Sequence, residues 1–288
     1  VISAFLLLTL VLSAPWWALI IRAGSLTASL WFVLGLMWAP GLAAMLTLAA
    51  RRESLAALGW RPGPARYLFL GLLIPAAYAT AVYVVVWVAG LGGFPNRELV
   101  DHVGERLGLE TRPVSVVIAG FVLAQLLFGL LPGCAFALGE EIGWRGFLVP
   151  RLVERFGERG AGLLSGGIWA AWHYPMVLFA DYRGAGPLGY GAVCFTVMAT
   201  GIAVVLAWLR LRSGSLWPAA LLHATHNLLV QTVFDPLTTG TGPTQYVIGE
   251  FGAALALAAL VVGWLAWRRL PGAKPGRCCG RDDLVSGR

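Results

Sequence analysis

The chain reads as an all-α, polytopic bundle of about eight membrane-spanning helices, and three observations carry that reading. Of the 288 residues, 58% are hydrophobic and only 12% charged, with a mean hydropathy of +0.76, whereas about a quarter of a soluble domain is charged. The apolar residues come in runs of about 20, the length that crosses a hydrocarbon core. Lys and Arg gather in alternate connections between those runs, as they do in membrane proteins of fixed orientation.

Taken in order, the predicted spans are residues 2–21, 26–50, 67–91, 114–138, 161–180, 188–209, 216–234 and 246–267. The first is long for a signal-peptide core and no cleavage site follows it, so it reads as a span. Pro15, Pro40 and Pro75 lie inside spans and are expected to kink them. Residues 51–66 read as a surface turn with Trp60 at the interface. Residues 92–113, holding Glu98, Asp101, Glu105 and Glu110, read as a short amphipathic or irregular cap. Residues 150–158 read as an interfacial helix with a solvated, charged face. Residues 1–270 form one transmembrane domain, and the polar, Gly-rich residues 271–288 a disordered tail.

Sixteen of the 21 basic residues fall after the second, fourth and sixth spans and in the tail. Arg22, Arg97, Arg106, Arg112 and Arg183 make up the other side. The positive-inside rule then predicts a multi-pass protein of the cell membrane with both termini in the cytoplasm. It also accounts for the net charge of +7 without a nucleic-acid partner; the expected surroundings are the lipid bilayer. Cys134 and Cys194 fall within apolar spans and Cys278 and Cys279 in the tail, which gives neither a disulfide framework nor a metal-ligand spacing.

Ionisable groups at membrane depth cost about 2.5 to 3.5 kcal/mol each on insertion scales and mark functional sites by default. Three places break the apolar pattern. The stretch Gly139 to Gly146, GEEIGWRG, brings Glu140, Glu141 and Arg145 to the end of the fourth span. Positions four apart share a helical face, so Glu141 is placed to pair with Arg145 while Glu140 faces elsewhere. A snorkelling cluster at a helix end is the bland alternative. In the fifth span, Trp169 is followed four residues later by His173. In the seventh, His223 and Asn227 share a face, with His226 one position off it. A lone membrane histidine is often only an interhelical hydrogen-bond partner. The span directions, however, let these groups meet in the cytoplasmic half of the bilayer. A carboxylate, two imidazoles and a carboxamide in a water-accessible pocket make a hydrolytic inventory: a base, a partner to position water, and donors for a developing oxyanion.

At these residues the sequence resembles the type II CAAX prenyl protease and bacteriocin-processing (CPBP or Abi) family of intramembrane endopeptidases. Glu140, Glu141 and Arg145 match its Glu-Glu-x-x-x-Arg motif, and His223 with Asn227 its His-x-x-x-Asn motif. Trp169 and His173 correspond to Phe-x-x-x-His, with Trp in place of Phe. The resemblance implies a peptidase core at about residues 114–234. It implies that Glu140 activates water, that His173 helps hold it, and that His223 and Asn227 stabilise the oxyanion. Glu141 and Arg145 would fix the end of the fourth helix. The substrate implied is a membrane-associated protein or peptide, cut near the cytoplasmic side.

Two other function classes fit the same residues. An ion-coupled transporter would favour repeated halves with discontinuous helices, and no repeat is visible. A non-catalytic membrane immunity or scaffold protein differs from a peptidase by lacking turnover that depends on Glu140. No cofactor is expected. Glu140, His173 and His223 could in principle ligate zinc, but the H-E-x-x-H arrangement is absent, and a metal would occupy the only base.

Overall fold

In the computed structural model, which describes residues 1–272, the chain is a helical bundle with a single isolated β-bridge, Gly93 to Thr239, among those residues. Helix α1 (Ile2–Ala23) and helix α2 (Leu30–Ala50) form a hairpin about a 3-10 turn at Leu26–Ala28. A second 3-10 turn, Leu55–Leu58, leads into α3 (Ala65–Val88). The cap expected at 92–113 contains the amphipathic helix α4 (Arg97–Leu107). Asn96 caps its start, and Gly108, in the left-handed region at φ 65, ends it.

Helices α5 (Val114–Phe128) and α6 (Leu130–Glu141) replace the single predicted fourth span. The helical run bends by 47° at the break between them. Pro132 explains the break, because it has no N–H to offer the carbonyl of Phe128. A π-helical turn, Ile142–Leu148, joins α6 to α7 (Val149–Phe179). The predicted interfacial helix is therefore the first part of α7, set off by Gly157 at φ 67 and ψ 173.

Helix α8 (Leu188–Ser213) is the centre of the bundle: 72% of its apolar window is buried, against 22% for α1. A helix apolar on all sides belongs in a core. Next come α9 (Trp217–Asn227), a second π-helical turn at Leu228–Phe234, and the single turns α10 (Asp235–Leu237) and α11 (Thr244–Val247). The last helix, α12 (Ala253–Arg269), starts later than the predicted eighth span.

The all-α membrane architecture is as the sequence predicts. Four helices, α1, α2, α3 and α8, are long and apolar enough to cross singly, or five spans if the bent α5-to-α7 run is one. Length and composition thus do not yield the expected eight, since α12 has only 17 residues and the run after Trp217 is broken. The predicted tail from residue 273 on, with Cys278 and Cys279, lies outside the described residues.

Side-chain bonds sort the connections into two ends. At the basic end, Arg151 pairs with Glu53 at 2.5 Å, Arg212 with Glu158 at 3.1 Å, and the Trp217 indole donates to the Trp60 carbonyl. At the opposite end, Asp181 accepts from Ser25 and from the Leu26 N–H, while Tyr182 donates to Glu250 and Tyr190 to the Tyr246 carbonyl.

Candidate active site

The π turn after Glu141 depends on close contact between α6 and α2. A Cβ added at Gly139 would strike Met37 and Trp38, and one at Gly143 would strike Pro40. Only glycine lets the two backbones approach so closely. A π turn widens the helix and changes the direction of the side chains that flank it, which is why such turns recur at functional sites. Asn227, on α9, likewise immediately precedes the second π turn.

Glu140 is 1% exposed, yet it forms part of the wall of a cavity of about 1110 Å³. The Trp169 indole donates to its Oε2 at 2.6 Å, and the Trp144 indole donates to the same atom at 3.3 Å. Trp169 therefore does something that Phe at this position could not. Its ring also stands between the two imidazoles, with centroids 5.6 Å from His173 and 5.3 Å from His223.

His173 and His223 line the same cavity, as does Asn227. Nδ1 of His173 lies 2.8 Å from the Trp169 carbonyl. A carbonyl only accepts, so Nδ1 carries the proton and Nε2 of the neutral ring is left as an acceptor. Nδ1 of His223 lies 2.9 Å from Glu141 Oε1, an oxygen that also accepts from Arg145 at 2.9 Å. Shared with a guanidinium, that oxygen belongs to a carboxylate, so the His223 Nδ1 donates as well. His223 can then donate to a ligand through Nε2 only as the imidazolium, with Glu141 as its counter-charge.

Glu141 and Arg145 stand behind the cavity rather than in its wall, and both are wholly buried. The Arg145 guanidinium lies over the Trp169 ring at 4.6 Å, and its carbonyl accepts from Arg210. This pair thus supports the two groups that reach the cavity: His223 directly, and Glu140 through Trp169.

Beyond the kink at Gly157, 15 residues of α7 precede His173 and six follow it to Phe179. At 1.5 Å per residue the imidazole is about 9 Å from the end of the helix opposite the basic loops. His223, by contrast, comes only six residues after Trp217, which is tied to the basic end, so the centre spans the middle of the bundle.

Sequence reasoning missed a second polar chain on the cavity. His226 lies between the Tyr78 hydroxyl, 2.6 Å from Nδ1, and Glu250, 3.1 Å from Nε2. Tyr182 donates to the other Glu250 oxygen at 2.6 Å. Glu250 fell inside the predicted eighth span, where a lone acid was itself the signal. Nearby, Tyr83 donates to Asp235.

Among the described residues, no three His, Cys, Asp or Glu side chains form a metal-holding group. Glu140 Oε2 is held by indoles, and the two imidazole Nδ1 atoms are directed to a carbonyl and to Glu141. No step below runs through a metal.

Fold and site together define a multi-pass, all-α membrane protein with a carboxylate–imidazole centre enclosed in its bundle. Residues 121–229 match the family model described as type II CAAX prenyl endopeptidase Rce1-like, so the resemblance drawn from the motifs is borne out over that segment. The segment contains every residue from Glu140 to Asn227 discussed above. CAAX prenyl protease 2 from Methanococcus maripaludis is 38% identical over 52 residues, a stretch that spans 18% of this chain and 18% of that relative.

Proposed function

We propose that the chain is an intramembrane endopeptidase, of the CAAX prenyl protease type its Rce1-like segment points to, that hydrolyses a peptide bond in a membrane-associated protein or peptide with water activated by Glu140. The observation that carries this is that Glu140, His173, His223 and Asn227 reach one cavity while the charges that steady them stay behind its wall. The Glu140 carboxylate takes a proton from water as the oxygen attacks the carbonyl carbon, and His173 Nε2 accepts the water's second hydrogen bond. The His223 imidazolium and the Asn227 amide donate to the oxyanion. As the tetrahedral adduct collapses, the C–N bond breaks and Glu140 returns its proton to the leaving amine.

Cleavage of a membrane-anchored reporter peptide by the purified protein tests this. Glu140→Gln and His173→Ala should abolish turnover while the protein stays folded in the membrane fraction. Asn227→Ala, which removes one oxyanion donor, should lose about 10² to 10³ in rate. Equal rates for Glu140→Gln and wild type would sink the assignment. Hydrolysis is proposed to be metal-independent: treatment with a strong chelator should leave the rate unchanged, and a stoichiometric zinc whose removal stops turnover and whose return restores it would overturn that part.

A further inference from the structure

We infer that the cavity is entered from the face of the membrane opposite the basic loops, the non-cytoplasmic face. The substrate is then a membrane-anchored peptide whose scissile segment lies outside the cytoplasm. The side of entry rests on the cavity and the charge pattern; the substrate class rests in addition on the peptidase reading.

The cavity wall can be followed along α7. Above Glu140 and His173 it continues through Met176 to Tyr182 and Arg183, and on to Thr241 and Gly242 beyond α10. All of its loop-borne lining comes from residues 26–27, 181–185 and 238–251, the connections joined at the end opposite Arg151. Toward the basic end the way is blocked. Glu141 and Arg145 fill the space behind Glu140 with no exposure, and Ile142, Phe147 and Leu148 of the π turn are equally closed. No residue of 51–64, 150–159 or 210–217 lines the cavity.

Charge assigns the faces. The closed end carries Arg51, Arg52, Arg61, Arg66, Arg151, Arg155, Arg159 and Arg212, and the open end carries Arg22, Arg97, Arg106, Arg112 and Arg183. A bias of this size in short connections sets orientation, with the richer side in the cytoplasm. A peptide reaching Glu140 must therefore pass the mouth at Gly242, and a bulky group fixed there should obstruct it.

The test uses the full-length chain with Cys134, Cys194, Cys278 and Cys279 replaced by alanine and one new cysteine introduced in each protein. At the mouth, Gly242→Cys is suitable because a Cβ there meets nothing within 4 Å. At the closed end, the exposed Arg155→Cys serves. A membrane-impermeant polyethylene-glycol maleimide added to intact cells should label the Gly242→Cys protein and spare Arg155→Cys until the cells are opened. Cleavage of the membrane-anchored reporter by the modified Gly242→Cys protein should fall at least tenfold below that of the same variant before modification. Labelling of Arg155→Cys from outside would overturn the orientation. Complete modification of Gly242→Cys with undiminished cleavage would overturn the entrance. If Glu140→Gln proves as active as wild type, the peptidase reading fails, while the labelling pattern still decides which face the mouth opens to.

Discussion

At the scale of the residue, Trp169 joins the parts of the centre. It donates to Glu140, covers the Arg145 guanidinium and touches both imidazole-bearing helices. The motif spacing made His173 legible from sequence, and the aromatic character at 169 with it. The N–H that distinguishes Trp from Phe gained its meaning only once α7 was packed against α6. Trp169→Phe keeps the ring and removes that donor. A hydrogen bond to a charged group contributes about 1.5 to 3 kcal/mol, so kcat should fall about ten- to hundredfold with little change in thermal stability. An unchanged kcat would mean that the Trp144 indole holds Glu140 by itself. The roles of the two glutamates were only half legible. Helical periodicity separated Glu141 from Glu140 and paired it with Arg145, but the His223 bond to Glu141 crosses 82 positions of sequence and no local pattern encodes it.

At the scale of the element, what the sequence did not foretell lies in helix irregularities. A hydropathy window sees one apolar run at 114–138, whereas the chain has two helices and a bend, because Pro132 acts through a missing hydrogen bond and not through polarity. The first π turn was invisible for a similar reason: it goes with the close contact of Gly139 and Gly143 with α2, which no local pattern encodes. Gly143→Val should therefore prevent accumulation of folded protein, since the new side chain meets Pro40 backbone that has no room to yield. The buried pair at this turn makes a second prediction. Removing one partner of a buried ion pair leaves an uncompensated charge and costs about 3 to 5 kcal/mol. Arg145→Ala should thus lower the thermal midpoint in detergent as well as activity. An Arg145→Ala protein as stable as wild type but inactive would place the arginine in substrate binding instead.

At the scale of the whole molecule, the class of fold and the sorting of its connections into a basic and a non-basic end were readable from composition and charge, because both follow from the bilayer as solvent. Which end is open was not, because the mouth is bordered by a segment that hydropathy assigned to a membrane span. Residues 246–252 instead form the approach to α12, and Glu250 fastens that approach to the bundle. The chain Tyr78–His226–Glu250–Tyr182 ties α3, α9, the approach to α12 and the connection after α7 into one strap across the wall of the cavity. Glu250 is 7% exposed and His226 3%, so deleting the carboxylate leaves buried donors without an acceptor, at a cost of about 1 to 3 kcal/mol for each. Glu250→Ala should accordingly lower the thermal midpoint by several degrees. It should also raise KM more than it lowers kcat, because the mouth loosens while Glu140 and its indoles are untouched. Glu250→Gln keeps an acceptor oxygen at the same reach and should recover most of both losses. If Glu250→Ala instead reduces kcat as severely as Glu140→Gln while KM stays fixed, the strap takes part in the chemistry, and the division between a reacting centre and a holding frame fails.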